Sequence, residues 1–143
     1  MPLIDLLHGG RQHVIGSYLL ETDEGPALLD CGPSSTLAAL HAGLAAHGLE
    51  LADVGHLLLT HIHLDHAGAA GVLASAHPGL RVHVSPVGAP HLVEPERLER
   101  SARRLYGEAF DRLWGELRPL PREQVEAALR EAHARLEVEI EPE

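Results

Sequence analysis

A group of side chains that commonly bind metal ions lies near the middle of the sequence, in the segment HLLLTHIHLDHAG at residues 56–68. Four potential ligands follow a run of apolar residues within six consecutive positions: His61, His63, Asp65 and His66. In extended backbone, side chains two residues apart point the same way, so the imidazoles of His61 and His63 can share one metal ion. Asp65 and His66 come where the chain bends into the next helix, and their different direction suits a second, adjacent ion. Imidazole and carboxylate ligands favour zinc, and ligand type alone leaves iron and manganese open.

The alternative for this segment is a polar loop whose histidines cap a helix or contact solvent. An isolated histidine is usually a surface residue or a hydrogen-bonded core residue. Four potential ligands directly after a buried strand are not typical of such a loop, so a metal site is the better interpretation.

The composition is that of a soluble globular protein. With 143 residues, 45% of them hydrophobic, the chain is predicted to be one domain over residues 1–143 with a core of its own. The formal net charge of -10 argues against nucleic acid or an anionic membrane as the partner, because both attract clustered positive charge. Cys31 is the only cysteine, so no intrachain disulfide can form. Neither a signal peptide nor a membrane span is recognisable, and we expect a cytoplasmic protein.

Upstream of the cluster, hydrophobic patterning predicts two strands and a helix. Residues 13–30 contain two apolar runs, which predict paired strands with a turn near Gly25 and Pro26. The pattern then changes to helical spacing over residues 34–48, which suggests a helix capped by one of the two serines at its start and ended by a glycine. A short buried strand, residues 56–60, leads into the cluster.

Downstream, the pattern predicts further helices and strands that alternate along the chain. We expect a helix over 66–77, a strand over 80–86, helices from 95 to 117 with a break near Gly107, a helix from Pro121 to about Arg135 and a strand over 136–140. This order indicates an α/β fold in which helices cover a sheet. In such folds sites form where loops leave the carboxyl ends of strands, which is where the metal-ligand cluster lies.

The segment THIHLDHAG at residues 60–68 resembles the T-H-x-H-x-D-H signature of the metallo-β-lactamase superfamily. The similarity extends to SYLLE, to ALLDCGPSS before the first predicted helix, and to GAPHLVEPERLERSARRLYG, so it covers nearly the whole chain. The resemblance implies a metallo-β-lactamase-like αββα sandwich, of which this chain is the N-terminal half. It also implies a metal-dependent hydrolase.

The resemblance assigns roles to the clustered residues. It implies that His61 and His63 bind a first zinc ion, and that Asp65 and His66 bind a second. Asp65 is also the candidate catalytic residue, which orients the attacking water or handles its proton. Asp30, in the DCG that stands where the family usually has D-T-G, is expected to hold the histidine loop in place behind the metal ligands. The alternative for Asp30 is a strand-end acid that bonds a turn.

The implied reaction uses a metal-activated water that attacks a carbonyl or phosphoryl centre. A thioester or another small ester is the expected substrate, by analogy with the family. Four other side chains near the cluster in sequence are weaker candidates for substrate contact: His56, His83, His91 and Tyr106.

The sequence departs from the family pattern after the last predicted strand, where members supply a further metal-binding histidine, a bridging aspartate and a final histidine. His133 is a poor substitute because its neighbours predict an exposed helix surface. We therefore expect a chain that is truncated at its C-terminus and is weakly active or inactive alone, since a stable zinc site needs three or four ligands.

Three hypotheses follow from that departure. The chain is the N-terminal piece of a metallo-hydrolase, a metal-binding or interaction module that completes its site with another chain, or a degenerate and inactive fold. A complementing C-terminal half and a second copy of the chain are the partners that the second hypothesis requires.

Overall fold

Six strands form one mixed sheet in the computed structural model, which describes residues 2–126, and their order in the sheet is their order in the sequence. The first three strands pair antiparallel, and the third to sixth pair parallel. The strands are β1 (Leu3–Asp5), β2 (Gly16–Thr22), β3 (Gly25–Leu29), β4 (His56–Leu58), β5 (Arg81–His83) and β6 (Val125–Glu126).

Helices connect the parallel strands, as parallel pairing requires. One helix lies between β3 and β4, two lie between β4 and β5, and three lie between β5 and β6. They are α1 (Leu37–Ala46), α2 (Leu64–Ala67), α3 (Ala70–Ala76), α4 (Ala89–Val93), α5 (Glu96–Tyr106) and α6 (Phe110–Trp114). The predicted α/β architecture is therefore confirmed. No helix within residues 2–126 has the length and apolar character needed to cross a bilayer.

A row of apolar side chains runs across the strands and forms the sheet side of the main core. Leu19, Leu28, Leu57 and Val82 are partners in successive strand pairs, and all four are at most 4% exposed. Such cross-strand contacts fix the register of the sheet, because a slip of one residue would turn the whole row to the opposite face. The helices contribute buried leucines to the same core, so the carboxyl ends of β3 and β4 are held at fixed positions.

The predictions for the first half of the chain are confirmed with two corrections. The paired strands are present, but the turn is at residues 23–24 and Gly25 already belongs to β3. The predicted helix is present over 37–46, and its leucines Leu37, Leu40 and Leu44 pack in the main core. Ser34 and Ser35 do not cap it, because their hydroxyls instead donate hydrogen bonds to the backbone carbonyls of Glu116 and Leu113.

The second half differs from prediction where long-range pairing decides the structure. The break near Gly107 is confirmed, whereas α4 was not predicted. The helix predicted from Pro121 is wrong as far as residue 126, since a single 3₁₀ turn leads directly into β6. The Gln124 side chain donates to the backbone carbonyls of His77 and Leu80, and β6 pairs with β5, which overrides the local helical pattern. The rest of that predicted helix, with His133, and the predicted strand over 136–140 lie outside the described residues.

Candidate metal centre

Three of the predicted ligands converge in the loop after β4 and the first turn of α2. Each of His61, His63 and Asp65 offers one ligand atom, and these atoms all lie within 4.8 Å of one another. Ligand atoms around one tetrahedral zinc, at about 2.0–2.2 Å from the ion, are roughly 3.5 Å apart. Small side-chain rotations therefore suffice to bring the three atoms onto one ion. The described residues fit a divalent ion in donor type and in position.

His66 lies directly beside this group. Its Nδ1 is 2.7 Å from Asp30 Oδ2, and its Nε2 is 3.3 Å from Asp65 Oδ2. Its ring is also 3.9 Å from the ring of His61, measured between centroids. Because the Asp30 carboxylate can only accept, Nδ1 donates to it, and Nε2 is the nitrogen that faces the ligand group beside Asp65. The structure thus brings all four predicted ligands together, and their division between two ions stays a prediction.

Asp30 connects the strand that precedes it to the ligand loop. It follows β3 with φ = 60°, a left-handed conformation that is uncommon for a residue other than glycine. Its carboxylate, in a residue only 7% exposed, accepts hydrogen bonds from the backbone N–H of Thr60 at 2.8 Å and the hydroxyl of Thr60 at 2.8 Å. The carboxylate also accepts the hydrogen bond from His66, so it bonds donors at both ends of the segment 60–66 that contains the predicted ligands. These contacts support its predicted role of holding the histidine loop, and that role stays a prediction.

The backbone after Asp30 also holds α2. The amides of Cys31 and Gly32 both donate to the carbonyl of His66, at 2.9 and 3.1 Å. The Cys31 side chain is fully buried, and burial, reinforced by the nearby Asp30 charge, raises the pKa of its thiol well above the usual range. Cys31 packs in the main core and is not a member of the three-ligand group.

The weaker candidates are not members of the three-ligand group, although Tyr106 lines a groove that His63 and Asp65 also line. His56 Nδ1 lies 2.8 Å from His83 Nε2, and His56 Nε2 lies 3.2 Å from a carboxylate oxygen of Glu24. His91 is on α4, and Tyr106 packs its ring edge against Trp114 at 5.3 Å. Substrate contact by any of these side chains stays a prediction.

Sequence reasoning missed Thr60, whose hydroxyl links the Asp30 carboxylate to His61 Nδ1 at 3.0 Å. A hydroxyl residue directly before the first ligand was a visible signal. The partner, however, is 30 residues earlier, so the bond could be found only once β3 and β4 were known to be neighbours.

Residues 12–140 match the sequence model of the metallo-beta-lactamase superfamily. The chain belongs to this superfamily. The family expected from the THIHLDHAG segment is therefore confirmed. None of the curated proteins matches the sequence.

Solved metallo-beta-lactamases share the fold of the described part. A metallo-beta-lactamase of Cronobacter sakazakii with a HARLDQ motif, in its mutant S60 form, is 29% identical and has a TM-score of 0.51; the match covers 56% of this chain and 31% of that chain. The metallo-beta-lactamase SMB-1, bound to 2-mercaptoethanesulfonate, is 25% identical and has a TM-score of 0.53; the match covers 64% of this chain and 32% of that chain. BJP-1, a subclass B3 metallo-beta-lactamase of Bradyrhizobium japonicum, is 26% identical and has a TM-score of 0.51; the match covers 55% of this chain and 30% of that chain. The chain thus spans about a third of the length of these metallo-beta-lactamases.

The first prediction tests the ligand group. Replacing both His61 and His63 with alanine removes two of three ligands, so zinc affinity should fall by more than about 100-fold in competition with a chromogenic chelator. The matched control replaces His41 and His47, two exposed histidines at α1, and should leave the affinity unchanged. Equal affinities in the two double variants would contradict the assignment.

The second prediction concerns Asp30. Asp30→Asn keeps the size of the side chain and tolerates the left-handed backbone, but one acceptor oxygen becomes a donor. The amide cannot accept from both Thr60 and His66, so zinc affinity should fall by about 10- to 100-fold. Asp23→Asn, in the exposed turn between β2 and β3, is the control. An unchanged affinity in Asp30→Asn would show that the ligands are positioned without this carboxylate.

Proposed function

We propose that this chain carries the metal-binding part of a metal-dependent hydrolase that acts on an ester, thioester or related small molecule. The observation that carries the proposal is the convergence of His61, His63 and Asp65 at the carboxyl end of β4, where α/β folds place their sites. Membership of a largely hydrolytic superfamily supports the same reaction class.

The donor set favours zinc, with manganese and iron as alternatives. His61, His63 and Asp65 would hold the ion, and His66 would present Nε2 beside it. When bound, such an ion lowers the pKa of a coordinated water toward about 7 and polarises the substrate oxygen. Two ions in the complete site, as the family resemblance implies, remain part of the proposal.

The residues of the chain supply orientation and a proton acceptor. Asp65 lies in the first turn of α2 and is half-buried, so its carboxylate can reach both the ligand group and solvent. We assign it the role of orienting the attacking water and accepting its proton. The Asp30 side chain bonds Nδ1 of His66 and is only 10% exposed, whereas the Asp65 side chain is 44% exposed, so Asp65 is the carboxylate that water can reach.

The proposed partner is a small molecule, because the net charge of -10 disfavours nucleic acid and anionic membranes. We further propose that residues outside 2–126, in the same polypeptide or in another chain, complete the ligand set. Three ligands can hold a zinc ion and leave a position for water, but a second ion needs ligands beyond His66. A cytoplasmic location stays a prediction from the sequence.

The third prediction tests hydrolysis in the polypeptide as its gene encodes it, loaded with zinc. We expect turnover of p-nitrophenyl acetate or of an acetyl thioester that a chelator removes and zinc or manganese restores. Asp65→Asn should lower kcat/KM by about 100-fold or more, because it removes a negative ligand and the proton acceptor together. Asp111→Asn, at an exposed position on α6, is the control.

Two outcomes would contradict the proposal. Turnover that survives metal removal would show that another group activates the water. Stoichiometric zinc binding without any hydrolysis would favour the hypothesis of a metal-binding or interaction module.

A further inference from the structure

An apolar groove opens beside the metal-ligand cluster, with a cavity volume of about 450 Å³. His63 and Asp65 line it, so the groove and the cluster share two residues. One wall is the apolar face of α5, where Leu98, Ala102 and Leu105 follow each other at spacings of four and three residues and therefore lie on one side of the helix.

The opposite wall of the groove is Trp114, at the end of α6. The chain turns back at Gly107, whose φ of 57° suits glycine, and this turn brings α6 against α5. The indole is held between two rings, stacked on His8 at 5.1 Å between centroids and contacted edge-on by Tyr106 at 5.3 Å. His8 is itself fixed, since its Nε2 lies 2.7 Å from the carbonyl oxygen of Leu113. Both walls are therefore firmly positioned.

The groove is accessible to solvent and is not a closed part of the core. Leu105 is 75% exposed on a helix whose sequence, ERLERSARRLY, is otherwise mostly charged. The charges do not line the groove: Arg103 pairs with Glu99 and Asp111 and lies over the Phe110 ring. Apart from the two cluster residues, the lining is apolar or aromatic, and its only other polar groups are the hydroxyls of Ser101 and Tyr106 and the indole N–H of Trp114. Small-molecule pockets have this character, with few polar groups and an apolar wall.

We propose that this groove binds the apolar acyl group of the substrate, so that the enzyme acts on esters or thioesters of medium-chain acids. The inference rests on the proposed function, because it places the scissile carbonyl at the cluster and the acyl chain along α5. A substrate with a charged acyl group would have to bury its charge against Leu98, Ala102 and Trp114 without a partner, which is costly. Hydrolysis adds water across the acyl carbon–oxygen or carbon–sulfur bond and releases the acid and the alcohol or thiol.

The fourth prediction uses Trp114, which is the only tryptophan of the chain, as a fluorescent reporter of the groove. The zinc-loaded protein is titrated with sodium butanoate and with sodium octanoate, two carboxylates that resemble the released acid. Complete burial of each additional methylene would strengthen binding by about fourfold, and an open groove gives part of that. Octanoate should therefore bind at least about tenfold more tightly than butanoate, with a change in Trp114 emission.

A matched pair of variants localises the effect. Leu105→Ser changes an exposed residue of the groove wall, so the fold should be unaffected. This variant should weaken octanoate binding by about five- to tenfold. It should change butanoate binding by less than about twofold, because the shorter chain does not reach as far along the wall. Val87→Ser changes a residue that is 61% exposed and does not line the groove, and it should change neither affinity.

The outcomes separate this inference from the proposed function. The acyl groove would be overturned if butanoate and octanoate bound with equal affinity, or if Leu105→Ser and Val87→Ser had equal effects on octanoate binding. Either result would count even if zinc binds as predicted. A groove that is covered by another segment or by a partner would give this result. Conversely, chain-length discrimination that depends on Leu105 and persists in the His61→Ala/His63→Ala variant supports the groove. If that same double variant also bound zinc normally, the proposed function would fail while the groove would stand.

Discussion

The Asp30 carboxylate joins the backbone segments on both sides of the predicted metal ligands through its hydrogen bonds. It is nearly buried, and a buried carboxylate is stable only when its oxygens accept hydrogen bonds. Thr60 and His66 supply those bonds from opposite ends of the ligand segment. The end of β3, the end of β4 and the first turn of α2 are thereby joined through one side chain, and the uncommon backbone conformation of Asp30 is part of that geometry.

Leu64, which lies between His63 and Asp65 in sequence, anchors the same segment in the core. Leu64 is 8% exposed and packs in a small core with Ala102 of α5 and Phe110 of α6. This contact places α5 and α6 next to the ligands, so the position of the acyl groove relative to the cluster follows from core packing. A change in Leu64 would therefore alter ligand orientation and groove shape together.

The local sequence pattern was sufficient to predict those features of the fold and the site that depend on residues close together in the chain. The His61 to His66 spacing, the strand before it and the apolar face of α1 are set by neighbouring residues, and the structure contains them at the expected places. The family followed from the same short segment. Features that depend on distant residues could not be predicted. Residues 125–126 have a helical sequence pattern but form strand β6, because they pair with β5. The contact between His56 and His83 joins residues that are 27 positions apart. The acyl groove likewise needs Trp114 and Leu105 to face one another, which only the turn at Gly107 brings about.

The central claim is that imidazoles of the HIHLDH segment coordinate the metal, and X-ray absorption spectroscopy at the zinc edge tests it most directly. The account predicts nitrogen and oxygen ligands at about 2.0–2.2 Å, with scattering from at least two imidazole rings that disappears in the His61→Ala/His63→Ala variant. A spectrum without imidazole scattering, or one dominated by sulfur at about 2.3 Å, would contradict it.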